Sequence, residues 1–143
     1  MKNVVIYTRV NSKEQVNTGF RLRYQEEALR KYCEIKGYKV VNHFQDCFSA
    51  RTFDRPEWRK LESFVKNNKK VDLILFTKWD RFSKNTEQAL AVIRELSNIG
   101  IEINSIEQPL DFSIHDNKMI LSIYLLLPEL NQMKRLEKNS FKK

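Results

Sequence analysis

Three short polar stretches hold the side chains that could do chemistry. The first brings Arg9, Asn11, Ser12 and Gln15, the second Asp46, Ser49, Arg51 and Arg55, the third Lys78, Asp80, Arg81 and Lys84. An arginine guanidinium is a planar fork of N–H donors that meets phosphate oxygens two at a time. Arginines gathered at one place therefore point to phosphate recognition. None of the three stretches contains glycine, which excludes a phosphate-cradling nucleotide loop. Asp46 and Asp80 are too few carboxylates for a centre of two magnesium ions. Cys33, Cys47, His43 and His115 lack zinc-ligand spacing, so no metal is expected. The set reads as handling of a phosphodiester by arginines, without metal or cofactor. The alternative is an ordinary charged, solvated surface.

Composition sets the bounds. The 143 residues are about one domain's worth, 41% hydrophobic and 31% charged, a globular balance able to bury a core. Twenty-six Lys and Arg against 18 Asp and Glu leave a net charge of +8. That excess suits a polyanionic partner such as nucleic acid, or lysines that merely solvate helix faces. Two cysteines make no disulfide framework, and the start Met-Lys-Asn-Val has no apolar signal stretch. The longest apolar run, Ile120 to Leu130, is broken by Ser122, Pro128 and Glu129, and falls short of the roughly 20 residues that span a bilayer. A soluble, cytoplasmic protein is expected.

The elements that must position the polar stretches follow from pattern. Val4 to Tyr7 is an apolar run ended by polar residues, the mark of a buried central strand. In open α/β sheets ligands bind beyond the carboxyl ends of such strands, so the loop from Arg9 to Gln15 is the first place to look. A helix is expected from about Arg21 to Lys36, with Leu22, Ala28, Leu29, Tyr32, Cys33 and Ile35 on its apolar side and Gly37 ending it. Tyr38 to Phe44 reads as a second strand. Asp54-Arg55-Pro56 reads as a helix start with Asp54 as cap, and Trp58, Leu61, Phe64 and Val65 as its stripe. Val71 to Phe76 is a third strand. The next helix turns Ala89, Val92, Ile93, Leu96 and Ile99 inward and stops at Gly100, before a fourth strand over Ile101 to Ile106. Strands joined by helices predict an α/β fold with a central, mostly parallel sheet flanked by helices. From about Asp116 to Phe141 a long helix carries Met119, Ile120, Ile123, Tyr124, Leu126, Leu127, Leu130, Met133 and Leu136, interrupted at Pro128. A stripe this long implies a subunit interface, or else packing on its own domain. The expected division is an α/β unit over residues 1–115 and a dimerisation helix over residues 116–143.

The chain resembles the catalytic domain of the serine recombinases, the resolvase and invertase family of DNA strand-exchange enzymes. The resemblance rests on Ile6-Tyr7-Thr8-Arg9-Val10 with Lys13-Glu14-Gln15, Leu22 with Tyr24-Gln25, Asp46 with Ser49, Asp54-Arg55-Pro56, and Trp79-Asp80-Arg81-Phe82-Ser83. It implies a resolvase-like fold and a reaction in which a serine attacks the DNA phosphodiester and is joined to the 5′ phosphate. The bond energy is kept in the phosphoserine, so neither metal nor ATP is needed. By position, Arg9, Arg55 and Arg81 would clamp the phosphate and stabilise its transition state. Asp80 would orient an arginine or help proton transfer, and Gln15, Gln25, Asp46 and Ser49 would support them. DNA would be the partner, met by a dimer that pairs into a tetramer at synapsis.

The departures carry as much weight as the matches. The family's nucleophilic serine falls on Asn11, whose carboxamide has no hydroxyl to ionise for attack. Ser12, one residue late, is the candidate substitute nucleophile, but a neighbouring side chain points elsewhere, a poor start for in-line attack. Lys84 stands where relatives carry arginine, which keeps charge but loses the fork. Arg21 and Arg23 replace a serine and an acidic residue, and add charge near the same face. The basic run of Lys134, Arg135, Lys138, Lys142 and Lys143 would touch DNA backbone, as the end of that helix does in relatives. Relatives continue into a separate DNA-binding region, and the expectation without one is weak, salt-sensitive, sequence-blind binding. Three readings follow: a recombinase domain whose cleavage is lost or impaired, a non-catalytic dimerising regulator of an active recombinase, or a fragment of a longer enzyme.

Overall fold

The computed structural model describes residues 1–11, 18–47, 54–67 and 70–126. The chain alternates β1 (Asn3–Arg9), α1 (Thr18–Lys36), β2 (Lys39–Asp46), α2 (Pro56–Asn67), β3 (Leu73–Phe76), the single turn α3 (Trp79–Phe82), α4 (Thr86–Ser97) and β4 (Glu102–Ser105). A further helix, α5, occupies residues 117–126. The strands form one sheet in the order β2-β1-β3-β4, and every pairing is parallel. The expected α/β class with a central parallel sheet is the one observed.

Two cores explain why these segments fold this way. Side chains alternate along a strand, so Val4 and Ile6 face one side of β1 while Val5 and Tyr7 face the other. The first pair packs with Leu73, Leu75 and, from α1, Leu29 and Cys33. The second pair packs with Trp58, Leu61 and Val65 of α2, Ala89, Ile93 and Leu96 of α4, and Leu121 and Leu125 of α5. One helix thus covers one face, and three cover the other. The chain reverses direction across the sheet between β1 and β3, which opens a crevice beyond their carboxyl ends. Gly37 and Gly100 adopt φ of 74° and 84°, and the residue after each donates back five positions, Tyr38 N to Cys33 O and Ile101 N to Leu96 O. These turns stop α1 and α4 and release the chain into the next strand.

Several expectations need correction. α1 starts at Thr18 rather than Arg21, and its buried line is Leu22, Gln25, Leu29 and Cys33, leaving Ile35 exposed. Ile99 is exposed too, because α4 ends at Ser97 and Ile101, past the glycine turn, takes the inward place. α2 begins at Pro56, one residue later than Asp54 as cap requires, and Asp54 instead pairs with Arg59. On α5 the buried residues are Leu121 and Leu125, while Met119, Ile123 and Leu126 face outward. The end of the expected long helix, with Pro128, Met133, Leu136, Lys134, Arg135 and Lys138, lies outside the described residues. Among the described residues, no helix is long and apolar enough to cross a membrane.

Candidate functional site

The site begins where β1 ends. Arg9 is the last residue of that strand and is 1% exposed. Its Nε donates to the Arg81 carbonyl at 2.9 Å, its Nη2 to the Asp80 carbonyl at 2.7 Å, and its Nη1 to Asn11 Oδ1 at 2.5 Å. Gln25, from α1, accepts from Arg9 N–H at 3.1 Å and donates to Arg9 O at 3.0 Å, so one amide fixes both backbone polar groups of the strand end.

Arg55 enters from the start of α2 and is equally buried. Its Nη2 donates to the Phe82 carbonyl at 2.6 Å, and its Nη1 to Tyr7 Oη at 3.0 Å and the Arg81 carbonyl at 3.4 Å. Its guanidinium lies over the rings of Tyr7 and Trp58, at 5.5 and 5.7 Å. Both guanidiniums thus converge on consecutive carbonyls of α3. That turn is anchored by its aromatics: Phe82 stacks on Phe76 at 5.1 Å, and Trp79 Nε1 donates to the Gln108 carbonyl at 2.8 Å.

Arg81 completes the cluster by donating from Nη1 to Arg9 O at 3.2 Å. Asp80 Oδ1 is 3.6 Å from Arg81 Nε, and among the described residues it is buried without a hydrogen-bond partner. Lys84 is half-buried between α3 and α4. Asp46 ends β2 but points at α2, where it accepts from Glu57 N at 3.1 Å, Trp58 N at 3.0 Å and Tyr7 Oη at 2.7 Å. It does from a distance what a cap residue does locally, by meeting the free N–H groups of a first helical turn.

Crowding of cations leaves an electrostatic mark. Burial, with Arg55 and Arg81 close by, lowers the Arg9 pKa to about 10. Burial also lowers that of Arg55, partly offset by Tyr7 and Asp46, and raises that of Tyr7. Positive charge is concentrated here against its own repulsion, a setting that favours an arriving anion.

The structure therefore brings together Arg9, Asn11, Gln25, Arg55, Asp80 and Arg81, with Asp46 one layer behind, joined to Arg55 through Tyr7. Ser12, Gln15 and Ser49 lie outside the described residues. Sequence reasoning missed Tyr7, whose hydroxyl links Asp46 to Arg55. Its signal was present: two residues before Arg9 on a strand, it must share Arg9's face.

Comparison with known proteins gives this cluster its setting. The family model of the resolvase N-terminal domain matches residues 4–140. The Staphylococcus aureus transposon Tn552 DNA-invertase BinR is 26% identical over 130 residues, 88% of this chain and 62% of the invertase. The N-terminal catalytic domain of TP901-1 integrase superposes with a TM-score of 0.73 at 28% identity, covering 94% of this chain and 99% of that domain. The C-terminal catalytic domain of ISC1926 TnpA, an IS607-like serine recombinase, gives 0.64 at 30% identity, over 73% of this chain and 70% of its own. The chain spans between 45% and 62% of the length of the transposon-borne relatives it matches. With the strand order, the arginine cluster and a match running from residue 4 to residue 140, the chain belongs to the resolvase family of serine recombinases, through its N-terminal domain.

Proposed function

We propose that this chain is the DNA-engaging domain of a site-specific recombinase in which strand cleavage is lost or severely reduced. What supports the reading is Asn11, which resemblance puts at the nucleophile's position and whose side chain bonds to Arg9. A carboxamide offers no alkoxide, so the attack on phosphorus has no agent there. Arg9, Arg55 and Arg81, with Lys84 beside them, hold a DNA phosphate. Asp80 orients Arg81, while Gln25 and Asp46 position Arg9 and the start of α2. By resemblance Gln15 and Ser49 support the same site, Ser12 is the candidate substitute nucleophile, poorly placed one residue late in sequence, and Lys134, Arg135 and Lys138 contact the backbone. The chemistry needs neither metal nor cofactor. The test is covalent trapping on nicked or mismatched DNA: no protein–DNA adduct is expected from the wild type.

A second reading has its own observation. Met119, Ile123 and Leu126 leave 68%, 50% and 51% of their surfaces exposed on α5, an apolar face that water disfavours. In this reading residues 1–115 form the α/β unit and residues 116–143 the contact helix. Two copies, or one copy and an active recombinase, pair through it, and the mixed dimer is crippled by Asn11.

A further inference from the structure

Beside the arginine cluster lies a cavity that none of the roles above uses. It opens on the α1 side of the sheet, at the same strand ends, and measures about 390 Å³, within the size range of small-molecule sites. Phe20 and Tyr24 form one wall. They are four residues apart, on one face of α1, and expose 69% and 61% of their surfaces. Around them stand three cations, Arg21, Lys78 and Arg81, and one carboxylate, Glu107. The floor is shared with the site already described: Gln25 lines the cavity and bonds both backbone groups of Arg9, and Arg81 lines it and donates to Arg9 O.

Open aromatic faces beside cations are the chemistry that receives unpaired nucleotides, with bases stacked on rings and phosphates paired with charge. Glu107 adds an acceptor suited to an exocyclic amino group. We propose that this cavity binds one unstacked nucleotide of the DNA strand, next to the phosphate held at Arg9. Its base stacks on Phe20 and Tyr24, and its phosphate faces Arg21, Lys78 and Arg81. The inference rests on the DNA reading above and adds to it a preference for DNA in which a base is already unpaired. Extruding a base costs least where pairing is already broken.

The experiment is fluorescence anisotropy with two short labelled duplexes, alike except that one carries a single mismatch. The wild type is expected to bind the mismatched duplex on the order of tenfold more tightly, the scale of stacking one base. The double variant Phe20→Ala/Tyr24→Ala is expected to bind both duplexes with the fully paired affinity, and Tyr24→Phe to retain the preference. Equal wild-type affinities, or a preference that survives the double variant, overturn the cavity assignment and leave the DNA reading standing. Absence of binding to either duplex overturns both.

Discussion

Asn11 Oδ1 accepts a hydrogen bond from Arg9 Nη1 at 2.5 Å, so the residue proposed to stand at the nucleophile's position also occupies an arginine proposed to hold phosphate. On the proposed reading Asn11 acts twice. It offers no attacking hydroxyl, and it fills one prong of a buried fork whose other prongs already hold the Asp80 and Arg81 carbonyls. A phosphate arriving at Arg9 must displace a neutral acceptor first.

Arg55, proposed to bind phosphate, is also a structural part. Replacing it with Met leaves the Phe82 carbonyl and the Tyr7 hydroxyl without a buried donor. Stability to urea should fall by about 2–4 kcal/mol. An unchanged unfolding midpoint would mean that the guanidinium is held loosely and kept wholly for ligand.

Asp46 is expected to act through α2. Asp46→Ala takes the acceptor from Glu57 N, Trp58 N and the Tyr7 O–H proton together, and about 2–3 kcal/mol should be lost. Asp46→Asn, which keeps an acceptor, should lose less. Equal losses in the two variants would show that charge, rather than hydrogen bonding, is the essential property.

His43 gives the fold a dependence on pH. Its Nε2 lies 2.8 Å from Thr8 Oγ1 and its Nδ1 3.6 Å from Glu26, and burial, the largest cause, lowers its pKa. A depressed folded-state pKa means that the unfolded chain takes up the proton first as pH falls. Stability is then full above the ordinary value near 6.5 and declines below it, towards the lower folded value. Denaturant titrations of wild type and His43→Gln at pH 7.5 and 5.5 should show the smaller decline in the variant. A decline of the same size in both would remove His43 from the account.

The outward face of α5 should hold copies together. Sedimentation at tens of micromolar is expected to show a dimer for the wild type and a monomer for Met119→Glu/Ile123→Glu, with circular dichroism unchanged. Leu125→Ala, on the buried side, should instead cost about 2–4 kcal/mol of stability. A wild-type monomer at that concentration would contradict the contact role.

What the sequence showed, it showed through patterns of side chains. The apolar run into Arg9, the glycines at 37 and 100 and the alternation of strands and helices all carry periodic or conformational signals, and they located the parallel sheet and the edge where arginines meet. The rest depended on partners that leave no such signal. Backbone carbonyls of residues 80–82 receive both buried arginines, and any residue type supplies a carbonyl. Asp46 reaches α2 across a gap in sequence that no local rule spans. The turn α3 is too short for helical periodicity to register. Ile35 and Ile99 are apolar yet exposed, and Leu121 and Leu125, rather than Met119 and Ile123, face the core, because the direction of a helix face is set by what packs beneath it.

The most direct test of the central claim is covalent trapping with wild type and Asn11→Ser side by side, on the same nicked or mismatched duplex. The variant restores the hydroxyl and releases Arg9 Nη1 from the carboxamide. The account predicts no adduct with the wild type and a protein–5′-phosphate adduct with Asn11→Ser. An adduct formed by the wild type would contradict it, by showing that another residue supplies the nucleophile.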